Sequence, residues 1–503
     1  MTTGHQYSLI HSLTHTTRLR YDTSGSSNAS LIANIIIVVI ILGMIAFTLD
    51  GDDDDGSGDG NDGPAGMPPG WPPLNVDATS SVGPDNEVTV AVNPTDPDNL
   101  IAGSKDYALG PNGNGGYIVW AGYFYSKDGG ETWDDGLVGR ESGSVLLEYD
   151  QSSDPVIAFG PDGTAYYCGL AYGQGLLGMG RNALWIAEST NGGETWGDPY
   201  IVMAWESQGL FHDKQWLIVD QDTGNLYLTW TPFFPDGSRI FFGRSTDGGD
   251  NWDYYALSDW IAIGDAVQGS SLAMGSDGVL NVIWIDYDTR KLTLTQNSAD
   301  GAPQGWTNPR EIADVDWVFE IPNADYRVPT MPTLAADPST GQEDATLYAV
   351  WHDNAAGNTD IVLIRSMNGG ETWSDPIIVN DDINGHHQFF PWVAVSPEGE
   401  VGVVFYDRRD DPEDMLLHTY LAWSPDGENW LPNMRITTNA TNGSYGYHQS
   451  GNIFMGDYIG IAISDVGVHP VWADCRLGWG ESHVFSARIA LDDPRSVYPD
   501  TLY

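Results

Sequence analysis

The sequence predicts an all-β fold, a β-propeller of seven blades, and three observations support this prediction. A short string that ends in tryptophan recurs six times, an apolar run precedes the copies, and two further apolar runs separate them. The tryptophans of successive copies are 63, 56, 54, 67 and 57 residues apart. A near-constant interval of this size is typical of units that stack or surround an axis.

The recurring string follows the pattern Ser-x-Asp/Asn-Gly with tryptophan a few residues later. An Asp or Asn side chain can accept backbone N–H groups within a tight turn, and the following Gly tolerates a positive φ. The apolar run before each copy predicts a β-strand, and the tryptophan returns on the next strand. We therefore expect a turn-capping role for Asp128, Asn191, Asp247, Asp300, Asn368 and Asp426.

The number of blades follows from the apolar segments between the strings. Seven such segments occur, one more than the strings, and each unit then supplies about four strands, as a propeller blade requires. The segments begin at Val88, Val156, Trp216, Ser271, Thr333, Trp392 and Ile459. Six blades remain the alternative, because the first or last unit could be peripheral. The sequence does not show which terminal strand closes the ring.

The N-terminal region has a composition unlike that of the repeats. Residues 31–49 form an apolar run whose helix would span about 28 Å, close to the thickness of the bilayer core. Arginines precede this run and aspartates follow it, which predicts a cytoplasmic N-terminus and an extracellular propeller. No small-residue cleavage pattern follows, so we expect a retained signal anchor. The predicted order is a cytoplasmic tail (1–30), a transmembrane anchor (31–49), a disordered Asp/Gly/Pro-rich linker (50–78), the propeller (79–492) and a C-terminal tail (493–503).

The charge of the chain limits its partners. There are 70 acidic and 20 basic side chains, a formal net charge of −50, which disfavours nucleic acid as a ligand. A saline habitat and bound Ca²⁺ both explain such acidity, and no other cofactor is indicated. Cys168 and Cys475 fall in units two and seven, which would not be neighbours in a seven-bladed ring, so we expect two buried free thiols. We also expect a monomer. Asn439 and Asn442 begin N-glycosylation patterns.

Antiparallel connectivity predicts which face of the ring carries a site. The inner strand of each blade starts on the face where the second strand ends, and the capped turns lie on the opposite face. We call the first of these the mouth face. Inner-strand starts supply Asp154, Asp213, Lys214, Gln268, Arg327, His386, His387, Asp457 and Tyr458.

The ends of the second strands repeat the pattern Asp-x-Arg. It occurs at Asp288/Arg290, Asp407/Arg409 and Asp474/Arg476. One interpretation is a local ion pair that ties one blade to the next. The other is a set of guanidinium groups that converge on a substrate carboxylate, for which arginine is well shaped.

From about Asn86 to Ile489 the repeated string resembles the Asp-box, or BNR repeat, of sialidases, and Tyr326-Arg327-Val328-Pro329 is similar to their arginine motif. The resemblance implies three arginines on a sugar carboxylate, a tyrosine nucleophile activated by a glutamate, and an aspartate acid/base. Arg327, Arg409 and Arg476 are the expected triad, with Arg290 in reserve and Asp407 and Asp474 beside them. Asp353 is the expected acid/base. Tyr406, with Tyr447 and Tyr458 as alternatives, and Glu320 are the expected nucleophile pair.

Two departures from the sialidase pattern are visible. The arginine motif opens the fifth unit instead of the first, and Asn354 stands where an arginine is expected. The sequence predicts a membrane-anchored extracellular propeller that binds acidic glycans, and the resemblance implies that, if it is an enzyme, it hydrolyses them as a sialidase-type glycoside hydrolase. The alternative is a non-catalytic propeller that binds glycan, protein or calcium at the cell surface.

Overall fold

The computed structural model describes residues 72–110, 117–173, 181–205, 210–258, 266–341, 345–449 and 452–490. The predicted cytoplasmic tail, the apolar run 31–49, most of the linker and the C-terminal tail lie outside these residues. Among the described residues, no helix has both the length and the apolar character needed to cross a bilayer.

Seven antiparallel sheets surround one axis, so the fold is the predicted seven-bladed propeller. The inner strand of each sheet contacts the inner strands of both neighbouring sheets, which closes the ring. After β1 (Asn75–Asp77), the first blade contains β2 (Asp85–Asn93), β3 (Asp96–Asp106), β4 (Trp120–Ser126) and β5 (Asp134–Leu137). The second contains β6 (Gln151–Phe159), β7 (Ala165–Gly173), β8 (Arg181–Ser189) and β9 (Tyr200–Trp205).

The third to fifth blades follow the same order from the axis outwards. The third contains β10 (Phe211–Val219), β11 (Leu226–Phe234), the short β12 (Gly237–Ser238), β13 (Phe241–Ser245) and β14 (Asp253–Ala256). The fourth contains β15 (Val267–Met274), β16 (Leu280–Asp286), β17 (Lys291–Asn297) and β18 (Arg310–Asp314). The fifth contains β19 (Thr333–Ala336), β20 (Leu347–Asp353), β21 (Asp360–Ser366) and β22 (Ile377–Ile378).

The last two blades are separated by a hairpin on the mouth face. The sixth contains β23 (Gln388–Val395), β24 (Val401–Asp407), β25 (Leu416–Ser424), β26 (Met434–Arg435) and the short β27 (Thr441–Asn442). The hairpin is β28 (Tyr447–Gln449) and β29 (Asn452–Phe454). The seventh contains β30 (Gly460–Ser464), β31 (Gly467–Asp474) and β32 (His483–Ala487). Single 3₁₀ turns occupy Val145–Glu148, Pro303–Gly305 and Gly443–Tyr445.

The N-terminal strand closes the ring by joining the seventh blade. Strand β1 pairs antiparallel with β32, with Asn75 opposite Ala487, and forms the outermost strand of that blade. The predicted linker ended at residue 78, so the structure corrects this boundary: residues 75–77 belong to the propeller. Three residues carry no measurable periodicity, which explains why the sequence did not reveal the closure.

The turns between the third and fourth strands of the blades have the expected caps in five cases. In the first blade, Asp128 Oδ1 accepts the Thr132 N–H at 2.9 Å, and Ser126 Oγ accepts the Gly130 N–H at 2.8 Å. Equivalent carboxylate or amide bonds occur at Asn191, Asp247, Asn368 and Asp426. In the fourth blade Asn297 accepts the Gly301 N–H instead. Asp300 accepts the hydroxyl of Tyr227 from the third blade.

The hydrophobic core lies between the facing sheets of neighbouring blades. One cluster joins the second and third blades, and another joins the fourth and fifth. Most members of both clusters are aliphatic, and Trp230 and Trp351 are fully buried among them. Cys168 and Cys475 are both buried and unpaired, as expected.

We predict that Asn75→Ala weakens the closure of the ring. Asn75 Oδ1 accepts the Thr438 N–H at 2.7 Å, and its Nδ2 donates to the Ile436 carbonyl at 3.0 Å. Loss of these bonds should lower the free energy of unfolding by about 1–3 kcal/mol in urea denaturation. Asn439→Ala, at an exposed position on the same connection, is the control and should change it by less than about 0.5 kcal/mol. Equal effects of the two changes would contradict this account.

Candidate functional site

Five inner strands carry a bulge at the same place, where each strand starts on the mouth face. The register shifts between Asn86 and Thr89 in the first blade, and the second, third, fourth and sixth blades shift at the equivalent positions. Within each bulge one residue has a positive φ: Glu87 (55°), Asp154 (55°), Lys214 (49°), Gly269 (72°) and Phe390 (52°). For residues other than glycine this conformation costs about 1–3 kcal/mol, and such strain is concentrated at functional sites.

The bulges of the first four blades border a central cavity at the mouth face. Its polar wall comes from the starts of six inner strands or the residues just before them, and from the end of β3. The polar lining residues are Glu87, Lys105, Asp154, Asp213, Lys214, Gln268, Arg327 and Asp457. We call this group the axial cluster. Leu170, Phe211, Phe319, Pro329 and Met331 complete the wall.

Two ion pairs order one side of the axial cluster. Arg327 binds Asp457 through two parallel bonds, from Nε to Oδ1 at 2.8 Å and from Nη2 to Oδ2 at 2.5 Å. Lys105 Nζ lies 3.4 Å from Glu87 Oε2, and the Glu87 side chain is only 3% exposed. The Phe454 ring of the hairpin covers both cations, 4.6 Å from Arg327 and 4.8 Å from Lys105. These contacts hold the charged groups in place without a bound ligand.

The other carboxyl groups have neutral hydrogen-bond donors. Gln268 Nε2 donates to Asp213 Oδ2 at 2.8 Å, and Ser153 Oγ donates to Asp154 Oδ1 at 2.7 Å. Gln268 is itself buried, so this wall is rigid. Carboxyl groups of two adjacent blades, Asp154 and Asp213, therefore line the same cavity.

The rings of Trp216, Trp392 and Tyr458 form an aromatic floor that lines a second cavity, which shares Lys214 and Asp457 with the central one. Trp216 of the third blade and Trp392 of the sixth meet with ring centroids 4.7 Å apart, which brings together blades from different parts of the ring. Lys214 Nζ lies 3.6 Å from the centre of the Tyr458 ring and 5.6 Å from that of Trp392. The other three lysines form ion pairs with Glu87, Glu194 and Asp314.

Burial changes the protonation of the axial cluster. It raises the pKa of Glu87 to about 8; Lys105 opposes this shift, while Asp154 and Asp457 add to it. Burial also raises the pKa of Asp213 to about 7, with a further contribution from Asp154. Burial lowers the pKa of Lys214 despite the nearby carboxylates. At neutral pH Glu87 therefore keeps its proton close to the cationic Lys105, an arrangement that suits acid–base catalysis.

The arginines of the Asp-x-Arg pattern lie elsewhere. Arg409 Nη2 lies 2.7 Å from Asp407 Oδ2, and Arg476 Nη2 lies 2.6 Å from Asp474 Oδ2. Arg290 pairs with Asp316. None of the three lines the central cavity. Only Arg327 of the expected triad reaches it, because an arginine two residues after an aspartate is close enough to satisfy that aspartate first.

The expected catalytic residues are also outside the cavity. Asp353 accepts the Asp316 N–H and the Trp351 Nε1–H, each at 2.9 Å, so it joins two segments. Tyr406 is fully buried and donates to the Ala473 carbonyl at 2.6 Å. Glu320 is exposed. Of the alternative tyrosines, Tyr447 stacks on Tyr107, and Tyr458 alone borders the second cavity.

Sequence reasoning missed Glu87 and Lys105. Glu87 directly precedes Val88, where the first inner strand was expected to start, so the rule that selected Asp154 and Asp213 also applies to it. Lys105 lies at the end of β3, a position of the kind that supplied the aspartates of other blades. The signal that finds both is position on the mouth face, whereas the repeated Asp-x-Arg spacing marks local ion pairs at Arg409 and Arg476. In the described part of the chain, no group of three or more His, Cys, Asp or Glu side chains is arranged to hold a metal ion.

No protein-family model and no curated protein matches this sequence. Solved structures with a similar fold include a protein of unknown function from Dyadobacter fermentans DSM 18053, at 12% identity and a TM-score of 0.45, covering 83% of this chain and 97% of that one. The α-L-arabinanase of Penicillium chrysogenum has 13% identity and a TM-score of 0.44 (67% and 94% covered). The leech intramolecular trans-sialidase has 13% identity and a TM-score of 0.40 (84% and 69% covered). None of these likenesses assigns a substrate or a catalytic residue to this chain.

We predict that Glu87 makes the stability of the protein depend on pH. Because its pKa is raised in the folded state, its contribution is fully present below about pH 4.5 and is lost as the pH rises to about 8. Glu87→Gln removes this titration. Between pH 5 and pH 8 the free energy of unfolding of the wild type should fall by at least ~1 kcal/mol more than that of the variant.

Urea denaturation at both pH values measures this difference. Glu371→Gln, an identical change at an exposed position, is the matched control and should follow the wild type. Parallel pH profiles for the wild type and Glu87→Gln would show that Glu87 is ionised throughout.

Proposed function

We propose that the central cavity binds an acidic glycan and that the protein hydrolyses a glycosidic bond there. One observation carries the proposal: carboxyl groups with a raised pKa share a single cavity with carboxylates and three cations. A glycoside hydrolase needs a carboxylic acid that protonates the leaving oxygen and a second group that stabilises or attacks the sugar.

Glu87 is the proposed proton donor. Its side chain is held in a bulge with positive φ, next to Lys105. A pKa of about 8 keeps its proton at neutral pH, as a general acid requires. Asp154 in the adjacent blade and Asp457 opposite Arg327 provide carboxylate oxygens for the second role.

The charges of the cluster favour an anionic sugar when the pH is below about 7. Four carboxyl groups face three cations in the cavity. Once Glu87 and Asp213 hold protons, the cations outnumber the remaining carboxylates. Lys214 stands over the aromatic floor, where its ammonium group can meet a carboxylate of the ligand.

The proposal keeps part of the sialidase-like interpretation and changes its residues. Arg327 remains a residue of the central cavity, and Tyr458 borders the second cavity beside it. Lys105 and Lys214 take the positions near the ligand that Arg409 and Arg476 were expected to fill. We also propose that residues 31–49 anchor the propeller outside the cell, where glycans are the available substrates.

Binding without hydrolysis is the second candidate, and the pairing of Arg327 with Asp457 favours it. This pair is satisfied without a ligand, and the Glu87 side chain is nearly inaccessible. A protein of this kind would bind an acidic sugar and release no product.

Fluorogenic aryl glycosides test the proposed function. The purified protein should release the fluorophore from a sialoside or a glucuronide faster than from an α-L-arabinofuranoside. Glu87→Gln should lower kcat by at least about 100-fold, the usual contribution of a general acid. Glu371→Gln should retain the wild-type rate, and thermal unfolding should show both variants folded.

Two results would change the conclusion. Wild-type kcat in the Glu87→Gln variant would remove Glu87 from the mechanism. Glycan binding with no hydrolysis of any aryl glycoside would establish the binding function instead.

A further inference from the structure

An exposed aromatic group lies on the mouth face beside the seventh blade. Trp479 is 63% exposed, although tryptophan has the largest apolar side chain, and Tyr445 is 39% exposed. Trp479 belongs to the connection between β31 and β32, and Tyr445 to the 3₁₀ turn before the hairpin. With His448 of β28 they form a patch that we call the aromatic rim.

The aromatic rim is rigidly held. The rings of Trp479 and His448 stack with centroids 3.8 Å apart and an interplanar angle of 24°, and the Tyr445 ring lies 5.6 Å from Trp479. The Gly480 N–H donates to the Tyr445 carbonyl at 2.8 Å. His448 Nε2 donates to the Ser444 carbonyl at 3.1 Å. One face of the indole is thus covered by His448, and the exposed fraction places the other face in solvent.

The hairpin connects the aromatic rim to the axial cluster. Phe454 of β29 pairs with Tyr447 of β28, the neighbour of His448, and its ring covers Arg327 and Lys105. Asn86, next to Glu87, donates to the Phe454 carbonyl at 3.4 Å. A Cβ on Gly456 would lie 2.7 Å from the Glu87 nitrogen. The segment that follows the hairpin therefore packs closely against β2, the strand that carries Glu87. Strand spacings place the rim on the order of 10 Å from the cavity wall.

The size and charge of the patch indicate what covers it. Leu477, two residues before Trp479, is also exposed (53%). Together with the aromatic rim it exposes roughly a few hundred Å² of apolar surface, since one aromatic side chain has about 150–250 Å². This area is well below the ~800 Å² that each partner buries in a stable protein interface. A net charge of −50 opposes association with a second copy. A flat ring with one open face suits the C–H face of a sugar, whose hydroxyl groups stay at its edge in water.

We infer that the aromatic rim is a second sugar-binding subsite, in which Trp479 stacks on a sugar ring that is distant from the residue held in the central cavity. This inference rests on the proposed function and deepens it, because it makes an oligosaccharide the ligand. The hairpin lies between the two subsites, so a glycan of about three sugars follows its outer edge from the cavity to Trp479.

Calorimetric titration of the full chain tests the subsite. The probes are two acidic trisaccharides, 3′-sialyllactose and tri-galacturonate, and a neutral one, arabinotriose. Each trisaccharide is compared with the one of its monosaccharides that binds in the central cavity. Trp479→Ala should weaken the binding of at least one trisaccharide by about 10-fold, the scale of an aromatic contact. It should leave the matching monosaccharide unchanged. Trp479→Phe should restore most of the loss, and Tyr254→Ala, at an exposed aromatic on the outer strand β14, should have no effect.

Several results would overturn the subsite. They are equal affinity of Trp479→Ala and the wild type for every trisaccharide, equal losses for trisaccharide and monosaccharide, and no trisaccharide binding by the wild type. A change in molecular mass by light scattering, present in the wild type and absent in Trp479→Ala, would identify an interface between copies. Because the readout is equilibrium binding, the inference survives an absence of hydrolysis. The loss of rate expected for Glu87→Gln is judged separately.

Discussion

The central cavity depends on a bend that the inner strands share where they reach the mouth face. Five strands insert a bulge there, and each places one residue at positive φ. A regular strand would alternate its side chains between the two neighbouring blades. The bulge interrupts that alternation and allows Glu87, Asp154 and Lys214 to face the axis. The strain of about 1–3 kcal/mol at each of the four positions other than Gly269 is offset by the interblade core.

The shared bend explains why charge accumulates in a place where burial is costly. An isolated buried charge is strongly unfavourable, so such groups need partners. Here the partners come from different blades: Arg327 of the fifth holds Asp457 of the seventh, and Gln268 of the fourth holds Asp213 of the third. The first pair joins two blades that are not neighbours, and the second joins two adjacent blades. The site and the closed ring therefore support each other, because the carboxyl groups come from four blades at the two ends of the chain and meet only when the ring is closed.

The fold was predictable because its signals are local and repeated. Asp128 and its equivalents cap turns through bonds to residues four or fewer positions away, and the strings alone bring these together. The closure by Asn75–Asp77 was not predictable, since pairing with β32 joins opposite ends of the chain. Arg409 and Arg476 misled for a related reason: a repeated spacing reports a repeated local contact, here an ion pair with Asp407 or Asp474. Glu87 and Lys105 carry no repeated pattern, and only the three-dimensional position of their strand ends identifies them.

The pKa of aspartate is shifted in opposite directions on the two faces of the ring, as Asp426 and Asp213 show. At the turns, the Asn429 N–H stabilises the ionised carboxylate and lowers the pKa of Asp426 to about 2. At the axis, burial beside Asp154 raises the pKa of Asp213 to about 7. Water and backbone donors surround the first, whereas the second shares a closed space with other carboxyl groups. An acidic chain thus places permanently charged carboxylates where they build the fold and proton-holding ones where a ligand enters. Chemistry on the mouth face can then vary without disturbing the turns that define the blades.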